Sequence, residues 1–259
     1  MPLANLKQFR MHYGMTGPAD APVVMLSNSL GTNLAMWDAQ VPELSQKFRL
    51  LRYDKRGHGQ SEVPAGPYTV EMLGQDVLGL LDFLRIETVH FCGLSIGGQT
   101  GIWLGVNAPQ RLQSLTLSNT AAQIGTLEVW NERIDAVREN GTASVAGAVM
   151  ERWLTSDFRA NHSAEVRRIQ QMLETTNPEG YVGCCSAVRD FDYRDKVAAI
   201  TTRTLVITGS QDQSTPAADG RWMANQISGS RHIDLRAAHL SNIEAARPFT
   251  EGLVHFLAA

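Results

Sequence analysis

The sequence lacks the marks of a membrane-spanning, nucleic-acid-binding or disulfide-stapled protein. No apolar run approaches the length that spans a bilayer. The opening residues Met1-Pro2-Leu3-Ala4-Asn5-Leu6-Lys7 have no long apolar core of the kind a signal peptide carries. No block of lysine and arginine offers a phosphate-binding surface, and the net charge is −3, so nucleic acid is not an expected partner. Only 3 cysteines occur, two of them adjacent at Cys184 and Cys185, so they cannot all pair, and no Cys/His spacing suggests a zinc site. The expectation is a cytoplasmic protein with reduced thiols and neither a metal nor a membrane partner.

What is present is an alternation of short apolar runs and helical patterns. At 259 residues the chain can bury a full core as one large domain. Strands are expected at 7–15, 23–26, 48–53, 89–92, 112–117, 204–208 and 231–235. Helices are expected at 37–44, from Thr69 to about Leu84, and at 98–107, 216–227 and 242–257. The second of these carries Met72, Leu73, Val77, Leu80, Leu81 and Leu84 at helical spacing. Strands alternating with helices predict an α/β fold, a parallel, doubly wound sheet covered on both faces. Between 126 and 189 the rhythm changes to helical patterns alone, at 127–139, 142–154, 164–175 and 178–188. This segment is expected to form a helical cap over a core made of 1–125 and 190–259.

The chain is organised around Gly93-Leu94-Ser95-Ile96-Gly97-Gly98, a G-x-S-x-G spacing between a strand and a helix. A serine on such a turn is held in a strained backbone conformation that lifts its hydroxyl clear of the sheet. The following helix presents free N–H groups and its positive dipole end where an oxyanion would form.

A serine needs a base, and the base needs an acid to hold its tautomer; after an elbow of this kind they follow in the order acid, then histidine. Asp212, in Gly209-Ser210-Gln211-Asp212, and His239, in Ala238-His239-Leu240-Ser241-Asn242, both lie just past strands, on the sheet edge that carries Ser95. Asp190, Asp192, Asp219 and Asp234 lie off the expected loop. Of the 7 histidines, His12, His90, His162, His232 and His255 read as structural or solvated, and His58 as a turn residue in Arg56-Gly57-His58-Gly59. Two backbone donors should complete an oxyanion hole, Ile96 after the serine and Leu30 in the loop after an early strand.

These motifs, with Asn28-Ser29-Leu30-Gly31-Thr32, Trp37 and Asp54-Lys55-Arg56-Gly57-His58-Gly59-Gln60-Ser61, resemble the α/β-hydrolase family over nearly the whole chain. Asn28-Ser29, where many relatives carry His-Gly, and the compact cap are similar to the bacterial 3-oxoadipate enol-lactonases. The resemblance implies a mostly parallel eight-stranded sheet with the cap inserted after the sixth strand. It also implies hydrolysis of a five-membered enol-lactone bearing an acetate arm, in aromatic catabolism, without a cofactor. The free carboxylate of that substrate needs a cationic partner. Among the cap arginines 133, 138, 152, 159, 167, 168 and 189, Arg133 is the first candidate, with Trp130 and Trp153 as candidate pocket walls. A carboxylesterase, a cofactor-free perhydrolase and a carbon–carbon bond hydrolase share the same triad and stay open. A non-catalytic receptor on a hydrolase scaffold is the reading from a different class.

Overall fold

The structure, a computed structural model, describes residues 2–259. Eight strands form one sheet: β1 (Leu3–Asn5), β2 (Arg10–Thr16), β3 (Val23–Ser27), β4 (Arg49–Tyr53), β5 (Val89–Leu94), β6 (Leu112–Ser118), β7 (Thr204–Gly209) and β8 (Arg231–Leu235). Their spatial order is β1-β2-β4-β3-β5-β6-β7-β8. The first two strands and the β2–β4 pair are antiparallel, and every pairing from β4 to β8 is parallel. Strands β5 and β7 are buried along their whole length, because helices cover both faces there. That is why they read as continuous apolar runs and not as alternating patterns.

Among the described residues eleven α-helices join and cover the strands: α1 (Val41–Leu44), α2 (Val70–Phe83), α3 (Ile96–Asn107), α4 (Leu127–Asn140), α5 (Ala143–Trp153), α6 (Ser156–Asn161), α7 (Ser163–Glu174), α8 (Pro178–Arg189), α9 (Ala217–Gln226), α10 (Ser241–Glu244) and α11 (Ala246–Ala258). Caps fix several of their starts. Thr69 accepts from Met72 N ahead of α2, Thr126 from Val129 N ahead of α4, and Asn177 from Glu179 N ahead of α8, each contributing about 1 kcal/mol. Helix α2 buries Leu73, Val77, Leu80 and Leu81. Met72, expected on that face, is instead exposed, since adjacent helical residues point about 100° apart.

The structure corrects several boundaries. The three-residue edge strand β1 is too short to show a period, and α6 buries no residue, so neither left an apolar pattern to read. Helix α3 starts at Ile96, directly after the serine, two residues before its expected start. The helix expected at 37–44 is a 3-10 turn, Leu34–Gln40, running into the short α1, where Pro42 occupies the first turn. The single closing helix expected at 242–257 breaks at Ala245, whose φ of −117° and ψ of 46° are not helical. Pro248 explains the break: it lacks an N–H donor and is tolerated only within the first turn of α11.

Helices α4 to α8 stand between β6 and β7 with no strand among them. They seat on the core through backbone contact. A Cβ on Gly180 of α8 would lie 2.1 Å from Gly57 O, and one on Gly183 would lie 2.6 Å from the Tyr68 ring. Gly180→Ala should therefore lower stability by about 2–3 kcal/mol in a urea unfolding titration. Gly147→Ala, mid-helix in α5 with nothing within 4 Å of its added methyl, should raise stability by about 0.5–1 kcal/mol. Equal effects of the two substitutions would contradict this packing.

Candidate active site

Ser95 sits between β5 and α3 with φ 61° and ψ −120°, a conformation that costs a non-glycine residue about 1–3 kcal/mol. Close approach around it enforces the turn. A Cβ on Gly93 would meet Gly97 O at 2.1 Å, and one on Gly97 would meet Ser27 O at 2.3 Å. Backbone bonds secure the corner, with Ser95 N donating to Ser118 O at 3.0 Å and Thr120 Oγ1 donating to Ser95 O at 2.7 Å.

The strand ends then assemble the remaining expected groups. Asp212 follows β7 and His239 follows β8, and both are buried. His239 Nδ1 lies 2.9 Å from Asp212 Oδ2, which places the proton on Nδ1 and leaves Nε2 as the acceptor. Asp212 also accepts from Asn119 Nδ2 (3.0 Å), Ser214 N (2.8 Å), Thr215 N (2.9 Å) and Thr215 Oγ1 (2.7 Å). Burial alone would raise the pKa of Asp212, but His239 and these donors outweigh it and hold the carboxyl below its usual range. Asn119 also donates to Ala238 O at 3.2 Å, tying the end of β6 to the His239 loop.

Ser95 and His239 line one compact cavity of about 140 Å³. Its other walls include Leu30, Trp130, Arg133 and Trp153, so the structure brings every one of these expected residues to the same place. No hydrogen bond joins Ser95 Oγ to His239 among the described residues; the serine hydroxyl is free to rotate towards either the ring or a ligand. The Trp153 ring stacks 6.2 Å from the His239 ring at 29°. Trp130 donates through Nε1 to Ile124 O at 2.6 Å and carries the Arg133 guanidinium 5.0 Å over its ring. Arg133 forms no ion pair among the described residues, unlike Arg168 with Glu165 and Arg189 with Asp190. Arg152, one of the cap arginines, also faces the cavity, as do Gln213, Ser214 and Ile124, which no sequence motif marks. A larger surface groove of about 510 Å³ runs between Leu6 and α2, remote from this constellation. Among the described residues no group of three or more His, Cys, Asp or Glu is placed to hold a metal ion.

Among the described residues no protein group engages the Leu30 or the Ile96 backbone N–H. The loop that carries Leu30 is held from behind by the Asp54–Ser61 segment, a role that sequence reasoning missed. Asp54 accepts from Leu34 N (2.7 Å), Gln60 N (3.0 Å) and His12 Nδ1 (2.7 Å). Arg56 locks the segment to α2 through a fork on Asp76, with both bonds at 2.6 Å. His58 does sit in a turn, as expected, with its N–H on Lys55 O at 3.0 Å. Its buried ring, however, accepts from Gly31 N at 2.9 Å through Nε2. The glycine-rich composition had disguised a brace as a turn.

With this geometry in place, comparison with known proteins identifies the class. Residues 22–246 match the α/β hydrolase fold family, and the chain belongs to it. It is 40% identical over 243 residues to 3-oxoadipate enol-lactonase 2 of Acinetobacter baylyi, covering 94% of this chain and 91% of that protein. The crystal structure of the enol-lactonase from Burkholderia xenovorans superposes with a TM-score of 0.98 at 44% identity, covering 100% of both chains. A putative carbamate hydrolase of Stutzerimonas stutzeri is 30% identical over 257 residues, covering 96% of this chain and 97% of that protein. The protein is thus a hydrolase of the α/β fold with enol-lactonases among its relatives.

Burial first, and then the Lys55 charge, hold the pKa of His58 well below the ordinary histidine value. The unfolded ring takes a proton below about pH 6.5 that the folded ring refuses, so the unfolded state binds more protons there. The contribution of His58 to stability is therefore complete above pH 6.5 and declines as the pH falls through it. Of the groups facing the ring, Lys55 and Arg56 stay charged and the Cys184 thiol stays neutral throughout that window. Between about pH 4 and 6.5, His58→Gln should flatten the fall of unfolding free energy with acid; an unchanged slope would contradict the assignment.

Proposed function

We propose that the protein hydrolyses a small enol-lactone carrying a carboxylate, 3-oxoadipate enol-lactone, to 3-oxoadipate in aromatic catabolism. One observation carries the reading: an arginine without a carboxylate partner, Arg133, faces the same compact cavity as Ser95 and His239. The 40% and 41% identities to the two enol-lactonases of Acinetobacter baylyi support the choice of lactone.

In this mechanism Ser95 Oγ attacks the lactone carbonyl while His239 Nε2 takes its proton. Asp212 keeps the ring in the required tautomer and stabilises the imidazolium that forms. The carbonyl oxygen becomes an oxyanion held by the Leu30 and Ile96 N–H groups. Collapse of the tetrahedral adduct breaks the ring C–O bond. The enolate leaves more readily than a simple alkoxide would, accepts the proton and becomes the ketone. The acyl group remains tethered to Ser95. Water, deprotonated by His239, then attacks the ester, and Ser95 recovers the proton as the acid is released. Arg133 pairs with the free carboxylate of the acetate arm, while Trp130 and Trp153 wall the ring. No step requires a cofactor.

The carbamate hydrolase relatives mark the competing substrate class, a small carbamate with the same carbonyl chemistry. Loss of the enol-lactone chromophore, measured beside p-nitrophenyl acetate and a simple carbamate, separates the two. The lactone should be turned over with the highest kcat/KM, and Ser95→Ala should lower kcat by about 10⁴-fold or more. Arg133→Ala should cost the lactone about 10- to 100-fold in kcat/KM, the value of a charge-assisted pair of about 1.5–3 kcal/mol, and cost p-nitrophenyl acetate little. A preference for the carbamate, or equal losses on both esters, would overturn the substrate assignment.

A further inference from the structure

Among the described residues Lys55 is a buried ammonium with no carboxylate partner within ion-pair distance, whereas the buried cations Arg52 and Arg56 are paired with Asp38 and Asp76. A charge in that position is costly unless something uses it. Its one hydrogen bond runs from Nζ to Ser29 O at 2.9 Å. The same carbonyl accepts from Thr32 Oγ1, also at 2.9 Å. Ser29 O and the Leu30 N–H belong to one peptide plane, and in a trans peptide they point in opposite directions. Two donors behind the plane therefore fix the direction of the N–H in front of it. On the next peptide His58 Nε2 takes the Gly31 N–H at 2.9 Å, and Gly31 sits at φ +71° against Leu173 and Tyr181 of the helical segment. The Leu30 peptide is thus pinned on both sides, and its own N–H is left without a partner among the described residues, on a residue that lines the cavity.

We propose that Lys55 is a positioning residue for the reaction: through Ser29 O it turns the Ser29–Leu30 peptide and polarises it, so that the Leu30 N–H is aimed and strengthened as an oxyanion donor. A charged donor on a carbonyl draws electron density along the amide and makes its N–H a better donor, the cooperative effect of linked hydrogen bonds. The charge acts at one peptide's remove and never meets the substrate. This inference rests on the reading of Leu30 as an oxyanion donor, and it holds for any ester that Ser95 attacks.

Burial lowers the pKa of Lys55 to about 8, with Asp54 and Cys184 acting against that shift and His58 the neighbouring ring. The positive charge, and its effect on the peptide, is accordingly lost on the alkaline side.

The experiment compares wild type, Lys55→Met and Lys55→Gln on p-nitrophenyl acetate. Methionine keeps the volume and removes donor and charge; glutamine keeps a neutral N–H donor. For Lys55→Met kcat should fall about 10- to 100-fold with KM within twofold, the scale of a misaimed catalytic group. Its melting temperature should stay equal or rise, because a desolvated charge has been removed. Lys55→Gln should recover part of kcat. The wild-type kcat should decline above about pH 8, a limb absent in Lys55→Met. Affinity for a trifluoromethyl ketone, whose adduct places an oxyanion in the hole, should fall in parallel with kcat. Wild-type kcat in Lys55→Met, an unchanged ketone affinity, or a kcat loss matched by a lowered melting temperature in both variants would overturn the proposal. Absence of any Ser95-dependent ester hydrolysis in the wild type would instead overturn the proposed function itself.

Discussion

The structure depends on one steric constraint, the close approach of β5, α3 and β3 around Ser95. Gly93 and Gly97 allow backbone to touch backbone where any side chain would collide, at 2.1 Å and 2.3 Å. The serine between them pays with a φ of 61°. That strain is affordable only because the surrounding sheet and helix are buried and over-determine the corner. Relaxing the corner would move the Ser95 hydroxyl and, with it, the Ile96 N–H that opens α3. The positions of Ser95 and of the Ile96 N–H are thus a consequence of packing density and not of either residue's own preference.

A second layer of organisation runs through the segment from Asp54 to Ser61. It touches β2 through His12, helix α2 through Asp76, the Leu30 loop through Lys55 and His58, and helix α8 through the contact between Gly57 and Gly180. Apart from the close approach of the two glycines, each of these contacts uses a buried polar group with a stated partner, so the segment transmits position with little slack. The helical segment that brings Arg133 and both tryptophans to the cavity, and the loop that brings Leu30, share this one support. The positions of Arg133 and of the Leu30 peptide therefore depend on the same contacts.

Much of the architecture was legible in the sequence because its causes are local. The strand, G-x-S-x-G turn and helix around Ser95 announce themselves by period and by glycine spacing. Asp212 and His239 follow from their position after strands, and the structure places them 2.9 Å apart. The helical segment after β6 was visible as a loss of strand pattern. What remained hidden depends on long-range pairing. His58 was read as a turn residue because its partner, the Gly31 N–H, is a backbone group 27 positions away that no side-chain pattern marks. Asn119 and Thr215, which hold Asp212, carry no motif of their own. Strand β1 and helix α6 were missed because a short edge strand and a six-residue exposed helix bury too little to impose a period.

The central claim is that the strained serine at the elbow is the group that becomes acylated. It is tested most directly by reacting the protein with an activated phosphonate ester and mapping the modified peptide by mass spectrometry. The expected result is one phosphonyl group per chain, on Ser95, with activity lost in proportion to labelling and no labelling of Ser95→Ala. Labelling at another residue with activity lost, or full ester turnover by a protein stoichiometrically labelled at Ser95, would contradict the account.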